Sequence, residues 1–158
     1  MDNYQIGMAQ LYVAKSPGII RSTGLGSCIG IILYDPFAKV GGMAHAMLPK
    51  HRPGRGDNKA KYVDTAIDTM LEDMEALGAG PMNIIAKLAG GAQMFPDSDK
   101  DSLMIIGEKN IAAADEHLGT LGISIVAKDV GGHSGRTLEL DCRDGTLYIK
   151  TVTTETKI

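Results

Sequence analysis

The stretch from Cys28 to Leu48, CIGIILYDPFAKVGGMAHAML, decides the fold of this chain. Ile29 to Tyr34 is apolar and β-branched, which is typical of a buried strand. The Asp35-Pro36 pair and the three residues after it predict a turn. Val40 to Leu48 then resumes as a second strand, so the whole stretch predicts a β-hairpin.

Side chains alternate between the two faces of a strand, which assigns each residue of the second strand to a side. Met43, His45 and Met47 share one face, and the other face is formed by Val40, Ala44 and Leu48. Cys28 comes directly before the first strand. Cys28 and His45 are therefore expected to flank one hairpin.

Six further strands are predicted outside this hairpin, and the last two form a second hairpin through an Asp-Gly turn. They are Ala9 to Lys15, Gly18 to Ser22, Asn83 to Leu88, Ile123 to Val130, Thr137 to Cys142 and Thr146 to Val152. Cys142 is in phase with Leu138 and Leu140, so we expect it to lie in the core. The last six residues are expected to fray.

Two helices are predicted from apolar residues that recur at three- and four-residue spacing. The first is expected over 58 to 77, with Asp57 as its N-cap and Gly78 just after its end. The second is expected from Glu108 to Leu121. A charged loop is expected at Pro96 to Asp101.

Strands outnumber helices, and the helices come late and separately, which favours sheets covered by helices over a helix bundle. We expect an α+β fold with a β-sandwich or mixed-sheet core and helices packed on the outside, in layers of the α/β/α type. The 158 residues match the length of one core. Residues 1–158 are therefore expected to form a single domain.

The composition argues against several classes of function. A net charge of −3 gives no global attraction to nucleic acid. The N-terminus has no basic leader, and no stretch approaches the roughly 20 apolar residues of a membrane span. We expect a cytoplasmic protein without membrane insertion. Cys28 and Cys142 are too few for a disulfide framework, so both are expected to be thiols.

The glycine-rich segment Gly24 to Gly30, GLGSCIG, has three interpretations. A dinucleotide-binding loop is disfavoured because its third glycine comes one residue late and a strand follows it. That strand also argues against a nucleophile elbow, which lies between a strand and a helix. Alternatively, small residues let a substrate carbonyl approach the Cys28 thiol while loop amides hold an oxyanion. An ordinary turn with a buried cysteine remains open beside this interpretation.

His45 is the histidine whose position suggests chemistry. It shares a face with methionines, where an imidazole packs poorly unless it is hydrogen bonded. A base acting on a thiol and a satisfied core histidine explain it equally well. The other histidines lie where no role is expected: His51 in a polar loop, His117 on the exposed side of the second helix and His133 in a glycine turn.

Metal and phosphate sites are not expected. The sequence has no C-x-x-C pair, no H-E-x-x-H motif and no close pair of histidines, which disfavours zinc. The Gly-Lys-Ser/Thr end of a phosphate-binding loop is missing too. We expect no cofactor.

Six blocks of the sequence carry a family pattern: Gly24 to Cys28, Tyr34 to Pro36, Gly42 to Pro49, Lys61 to Ala66, Lys87 to Phe95 and Asp129 to Thr137. In content, order and spacing these blocks resemble the CheD family of chemoreceptor glutamine deamidases. The resemblance covers nearly the whole chain and is far more specific than one short motif. It implies a β-sandwich core with outer helices, related to a bacterial toxin deamidase.

The resemblance implies a Cys-His-Thr active site, with Cys28 as nucleophile and His45 as base. The family's threonine lies six residues before the cysteine, where this chain has Ser22. A serine hydroxyl can orient an imidazole as a threonine hydroxyl does. The side chain of Thr23 is expected to point to the opposite face of the strand from Ser22. Ser22 is therefore expected to be the third member, with Thr23 in reserve. The implied activity is that of a protein-glutamine glutaminase, which converts receptor glutamines to glutamates in sensory adaptation.

The implied substrate is the cytoplasmic helices of chemoreceptors. Lys50 and Arg52 lie in the loop after His45, and we expect them to steer the enzyme towards Glu-rich receptor helices, although a merely solvated loop is the alternative. The resemblance also implies docking to a CheC-type phosphatase. A non-catalytic adaptor that binds receptors or that phosphatase therefore stays open, as does a zinc hydrolase. We expect a monomer.

Overall fold

Two five-stranded sheets form the body of the fold in the computed structural model, which describes residues 2–54, 56–94 and 106–158. Within these residues the strands are β1 Asn3–Ile6, β2 Leu11–Lys15, β3 Ile19–Leu25, β4 Ile29–Asp35, β5 Val40–Ala46, β6 Ile85–Gly90, β7 Ile125–Val130, β8 Arg136–Asp141, β9 Thr146–Lys150 and β10 Glu155–Lys157. The first sheet has the order β1-β3-β8-β9-β10 and the second the order β2-β5-β4-β6-β7. The loop predicted at 96–101 lies outside the described residues.

The predicted hairpin is confirmed and forms the centre of the second sheet. Strands β4 and β5 pair antiparallel with Gly30 opposite His45, and every residue of both strands is buried. Strand β5 ends at Ala46, two residues before the predicted end, because Leu48 instead forms a bridge with Tyr62.

The α-helices of the described residues are α1 Val63–Ala76 and α2 Ile106–Thr120. A helical start at residue 58 with Asp57 as N-cap was wrong. Asn58 caps a separate 3₁₀ turn, and Tyr62 is extended where it pairs with Leu48, so α1 cannot begin before Val63. None of the described helices combines the length and the apolar character that crossing a membrane requires.

Alternating side chains of the hairpin fill two apolar layers. One layer lies between the sheets and the other lies between the second sheet and the helices. The first contains Ile32, Tyr34 and Met43 packed with Leu138, Leu140 and Cys142. The predicted core position of Cys142 is confirmed.

The α+β class, with paired sheets and helices on the outside, is confirmed. Both helices pack in one layer against the second sheet, so the order is sheet, sheet, helices. Neither of the described helices covers the outer side of the first sheet, which carries polar side chains such as Arg21 and Glu139, opposite each other on β3 and β8. A face of this kind is stable in water.

Strands β1 and β10 were not predicted. Strand β1 pairs parallel with β3, which brings Ile6 opposite Ser22. Strand β10 pairs with β9 in the segment where fraying was expected. Strand β1 alternates exposed Asn3 and Gln5 with Tyr4 and Ile6 but has only four residues, and the three residues of β10 are all exposed, so neither gives a pattern long enough to mark a half-buried strand.

Candidate active site

The segment that carries Cys28 is held by the turn at the end of β6. The Gly91 N–H donates to Cys28 O at 2.8 Å, and the Ala92 N–H donates to Gly26 O at 2.8 Å. Gly90 lies at φ +102°, and a Cβ there would come within 2.6 Å of Cys28 O. A glycine is therefore required for the turn to approach the cysteine this closely.

Cys28 is a buried thiol at the start of β4, with 7% of its surface exposed. Burial raises its pKa, and a hydrogen bond from its own backbone N–H to the sulfur lowers it by less. The net pKa lies above that of a free thiol, so the resting group at neutral pH is the thiol and not the thiolate.

His45 is fully buried on β5 and faces the first sheet. Its Nδ1 lies 2.8 Å from Ser22 Oγ, and that hydroxyl donates to the carbonyl oxygen of Ile6 at 3.0 Å. A hydroxyl has one proton, and the carbonyl can only accept it. Nδ1 must therefore carry the proton of the imidazole and donate it to Ser22, which leaves Nε2 as the basic nitrogen.

The Nε2 atom of His45 has no hydrogen-bond partner among the residues that the structure describes. Burial lowers the pKa of His45 to about 4, so the imidazole is neutral at physiological pH. Cys28 lies two residues before Gly30, the cross-strand partner of His45. Continuing the alternation of β4 places Cys28 on the face of His45, as its diagonal neighbour.

The remaining predicted residues share no hydrogen bond with Ser22, Cys28 or His45 in the described part of the chain. Thr23 is exposed on the opposite side of β3 from Ser22. Lys50 and Arg52 lie in the loop after β5, and Lys50 Nζ is 3.5 Å from Glu116 Oε1 at the surface.

The other three histidines make local contacts. His51 is hydrogen bonded to Gly56 O, His117 to Asp68 and His133 to Gln93 O. Within the described ranges, no three His, Cys, Asp or Glu side chains group as metal ligands would.

Sequence reasoning missed Asn110. This side chain is fully buried on α2, and its Nδ2 donates to Ser27 O at 3.0 Å and to Met47 O at 3.1 Å. It therefore joins the residue before Cys28 to a residue just beyond β5. Asn110 lies three residues after Gly107 and four before Ala114, on the buried side of the helix. A polar residue in phase with the apolar stripe was the available signal.

The site contains three chemical groups. They are a thiol, a neutral imidazole with one ring nitrogen available, and a hydroxyl that is hydrogen bonded to the other ring nitrogen. Nucleophilic attack on a carbonyl carbon needs a nucleophile, a base to take its proton and a group that orients the base. The arrangement can therefore support acyl transfer.

Comparison with known proteins agrees with this chemistry. The family model described as CheD chemotactic sensory transduction matches residues 47–151. A probable chemoreceptor glutamine deamidase CheD of Caldanaerobacter subterraneus is 50% identical over 94% of this chain and 92% of that protein. The chemoreceptor glutamine deamidase CheD of Halalkalibacterium halodurans is 47% identical over 96% of this chain and 94% of that protein. A probable chemoreceptor glutamine deamidase CheD of Pyrococcus horikoshii is 46% identical over 97% of this chain and 94% of that protein. This chain belongs to the CheD family.

Proposed function

We propose that this protein is a chemoreceptor glutamine deamidase, a protein-glutamine glutaminase that converts glutamine side chains of chemoreceptors to glutamate in chemotaxis. Its relatives carry that name. The structural observation that supports the same chemistry here is the hydrogen bond between His45 Nδ1 and Ser22 Oγ. It gives a buried imidazole a defined tautomer with Nε2 available as a base.

The reaction starts from a neutral pair, because burial raises the pKa of the Cys28 thiol and lowers that of His45 to about 4. The thiol proton moves to His45 Nε2 as the sulfur attacks the carboxamide carbon of the glutamine. The carbonyl oxygen becomes an oxyanion, which backbone N–H groups around Cys28 stabilise. No preformed thiolate is needed.

The tetrahedral intermediate collapses when its C–N bond breaks. The imidazolium of His45 returns the proton to the departing nitrogen, so ammonia leaves and a thioester to Cys28 remains. Water then attacks the thioester while Nε2 takes one of its protons. The C–S bond breaks, the thiol regains its proton, and the side chain is now glutamate.

Ser22 acts through His45 in this scheme. The hydroxyl accepts the Nδ1 proton and keeps the ring in the tautomer that presents a free Nε2. It also accepts a hydrogen bond from the imidazolium that forms when the thiol loses its proton. We assign to Thr23 no part in the reaction because its side chain is exposed on the other side of β3.

The setting of the reaction is part of the proposal. The chain acts in the cytoplasm, where a thiol such as Cys28 stays reduced, as one domain and as a monomer. The cytoplasmic helices of chemoreceptors are its substrate, and the family resemblance supports a CheC-type phosphatase as a second partner. Size-exclusion chromatography of the protein alone tests the monomeric state. The same measurement in the presence of that phosphatase tests whether the two proteins bind.

The deciding experiment incubates the purified protein with a receptor cytoplasmic fragment and maps glutamine-to-glutamate conversion by mass spectrometry. Cys28→Ala is expected to abolish conversion. Cys142→Ala, which removes the other thiol from the core between the sheets, is the matched control and is expected to retain it. Conversion by Cys28→Ala at the parent rate contradicts the mechanism. Binding without conversion by both parent and variant supports an adaptor instead.

A further inference from the structure

Three consecutive carbonyl groups around the nucleophile are held from outside their own segment. Gly26 O and Cys28 O accept from the backbone of the turn after β6, and Ser27 O accepts from the side chain of Asn110. Two of the three contacts are thus built into the backbone. The third depends on one residue of α2.

The contact to Ser27 O fixes the direction of the next amide. In a trans peptide the C=O of one residue and the N–H of the following residue point in opposite directions. Because Asn110 draws the Ser27 carbonyl towards α2, the N–H of Cys28 points away from that helix. That N–H belongs to the residue that carries the nucleophilic sulfur, next to the place where the oxyanion forms.

Asn110 reaches the strand of His45 with the same nitrogen. Its second hydrogen bond, to Met47 O, attaches the chain two residues beyond His45. The carboxamide orientation follows from these contacts, since an amide oxygen turned towards two carbonyl oxygens would only repel them. One side chain therefore sets the distance between the Cys28 segment and the end of β5.

Packing does not explain an asparagine at this position. Asn110 is fully buried, and its Oδ1 has no hydrogen-bond partner among the described residues. The buried neighbours on its helix are Gly107, Ala113, Ala114 and Leu118. A leucine of similar size would bury no unpaired oxygen, but it would leave Ser27 O and Met47 O without this donor, so the part of Asn110 that matters here is its Nδ2.

We propose that Asn110 is a positioning residue of the deamidation: by holding Ser27 O it aims the backbone N–H of Cys28 at the carboxamide oxygen that becomes negative during attack. Its contact with Met47 O keeps that N–H in register with His45. The inference rests on the proposed function. The residue touches no reacting atom and acts through the Ser27-Cys28 peptide.

The test compares two reactions of the same sulfur in the full-length Asn110→Leu variant. Deamidation of the receptor fragment develops an oxyanion, whereas alkylation of Cys28 by iodoacetamide displaces iodide at a saturated carbon and develops none. We expect kcat for deamidation to fall roughly 10- to 100-fold. Removal of one oxyanion donor lowers kcat by about 10²–10³-fold, and this variant misaligns the Cys28 N–H without removing it. KM is expected to change less than about twofold. The alkylation rate of the Cys28 peptide and its pH dependence are expected to match those of the parent.

Two further variants guard against a purely structural effect. Asn110→Ala removes the same donor without placing a large apolar side chain against two carbonyl oxygens. It replaces Asn110→Leu if that variant does not fold, and it is expected to show the same lower kcat for deamidation with an unchanged alkylation rate. Leu118→Ala destabilises the same helix at another position. At temperatures where this variant is folded, its kcat is expected to equal that of the parent.

The outcomes are distinguishable. A folded Asn110 variant with kcat within about twofold of the parent overturns the inference, and so does an equal loss of deamidation and alkylation. A parent protein that converts no glutamine overturns the proposed function, and this inference with it. An active parent with an active Asn110→Leu variant overturns the inference alone.

Discussion

Ser22 and His45 are joined across the two sheets of the sandwich. Ser22 lies on β3 of the first sheet and His45 on β5 of the second, and the hydroxyl and Nδ1 are 2.8 Å apart in the buried space between them. The Ile6 carbonyl takes the proton of the hydroxyl. The tautomer of His45 is therefore set by a strand of the opposite sheet.

Removal of the Ser22 hydroxyl tests this relationship. In Ser22→Ala the Nδ1–H of His45 loses its buried acceptor, and the ring can adopt the other tautomer. We expect kcat for deamidation to fall about 10- to 100-fold, which is less than the roughly 10²–10⁴-fold that a positioned general base contributes, because His45 itself is still present. Ser22→Thr keeps a hydroxyl at the same position and is expected to stay within a few-fold of the parent.

Thr23→Ala is the matched control, because it removes the neighbouring hydroxyl from the exposed side of the same strand. Its kinetics on the receptor fragment are expected to equal those of the parent. If Thr23→Ala loses activity and Ser22→Ala does not, the assignment of the orienting residue is wrong.

His45 also makes stability depend on pH. Burial lowers its folded pKa from 6.5 to about 4, so the unfolded chain binds this proton more tightly than the folded protein does. The stabilisation from the neutral ring is fully present above pH 6.5 and is lost as the pH falls towards 4. Between pH 7 and pH 4 the parent is expected to lose about 3 kcal/mol of unfolding free energy through this group.

Urea unfolding of the parent and of His45→Gln at several pH values measures this loss. The carboxylates that titrate in the same range are common to both proteins, so the difference between the two curves isolates His45. Parallel curves from pH 7 to pH 4 would show that the imidazole has an ordinary pKa.

The reactivity of Cys28 gives an independent measure of the resting protonation state. Burial raises the pKa of the Cys28 thiol above its usual range, so alkylation by iodoacetamide is expected to rise only at alkaline pH. Quantifying the alkylated Cys28 peptide separates it from Cys142, whose pKa burial raises to about 11. A fast plateau near pH 7 that disappears in His45→Gln would indicate a preformed thiolate–imidazolium pair instead.

The sequence was sufficient for the hairpin of β4 and β5 and for the face of His45. An apolar, β-branched run followed by a turn and an alternating strand has few other solutions. The alternation along β3 likewise separated buried Ser22 from exposed Thr23. Local pattern and spacing carried these features, so no tertiary contact was needed to predict them.

The contacts that complete the site depend on tertiary structure. Ile6 reaches Ser22 only because β1 adds to the first sheet, and the four residues of β1 are too few to be recognised as a strand. Asn110 reaches Ser27 across 83 positions of sequence. The bridge between Leu48 and Tyr62, which delays the start of α1, pairs residues outside the predicted strands. None of these pairings leaves a periodic signal in the chain.

Charge in the loop after β5 is expected to set how fast the enzyme meets its substrate. The loop begins close to the segment of Cys28, because Asn110 joins Met47 to Ser27, and Lys50 and Arg52 follow within five residues of Met47. Reversing both to Glu changes the local charge from +2 to −2 in front of an acidic receptor helix. The exposed ion pair of Lys50 with Glu116 contributes little stability, so the variant should fold normally.

We expect Lys50→Glu/Arg52→Glu to lower kcat/KM on the receptor fragment roughly 10-fold at about 0.01 M salt, where the Debye length is about 30 Å. The difference should vanish near 1 M salt, where that length is about 3 Å. Lys15→Glu/Lys39→Glu makes the same charge change at the other end of the hairpin, about 20 Å away along the seven residues of β4. A loss of rate that persists at high salt, or an equal loss in the distant pair, would mean that this loop does not steer the receptor electrostatically.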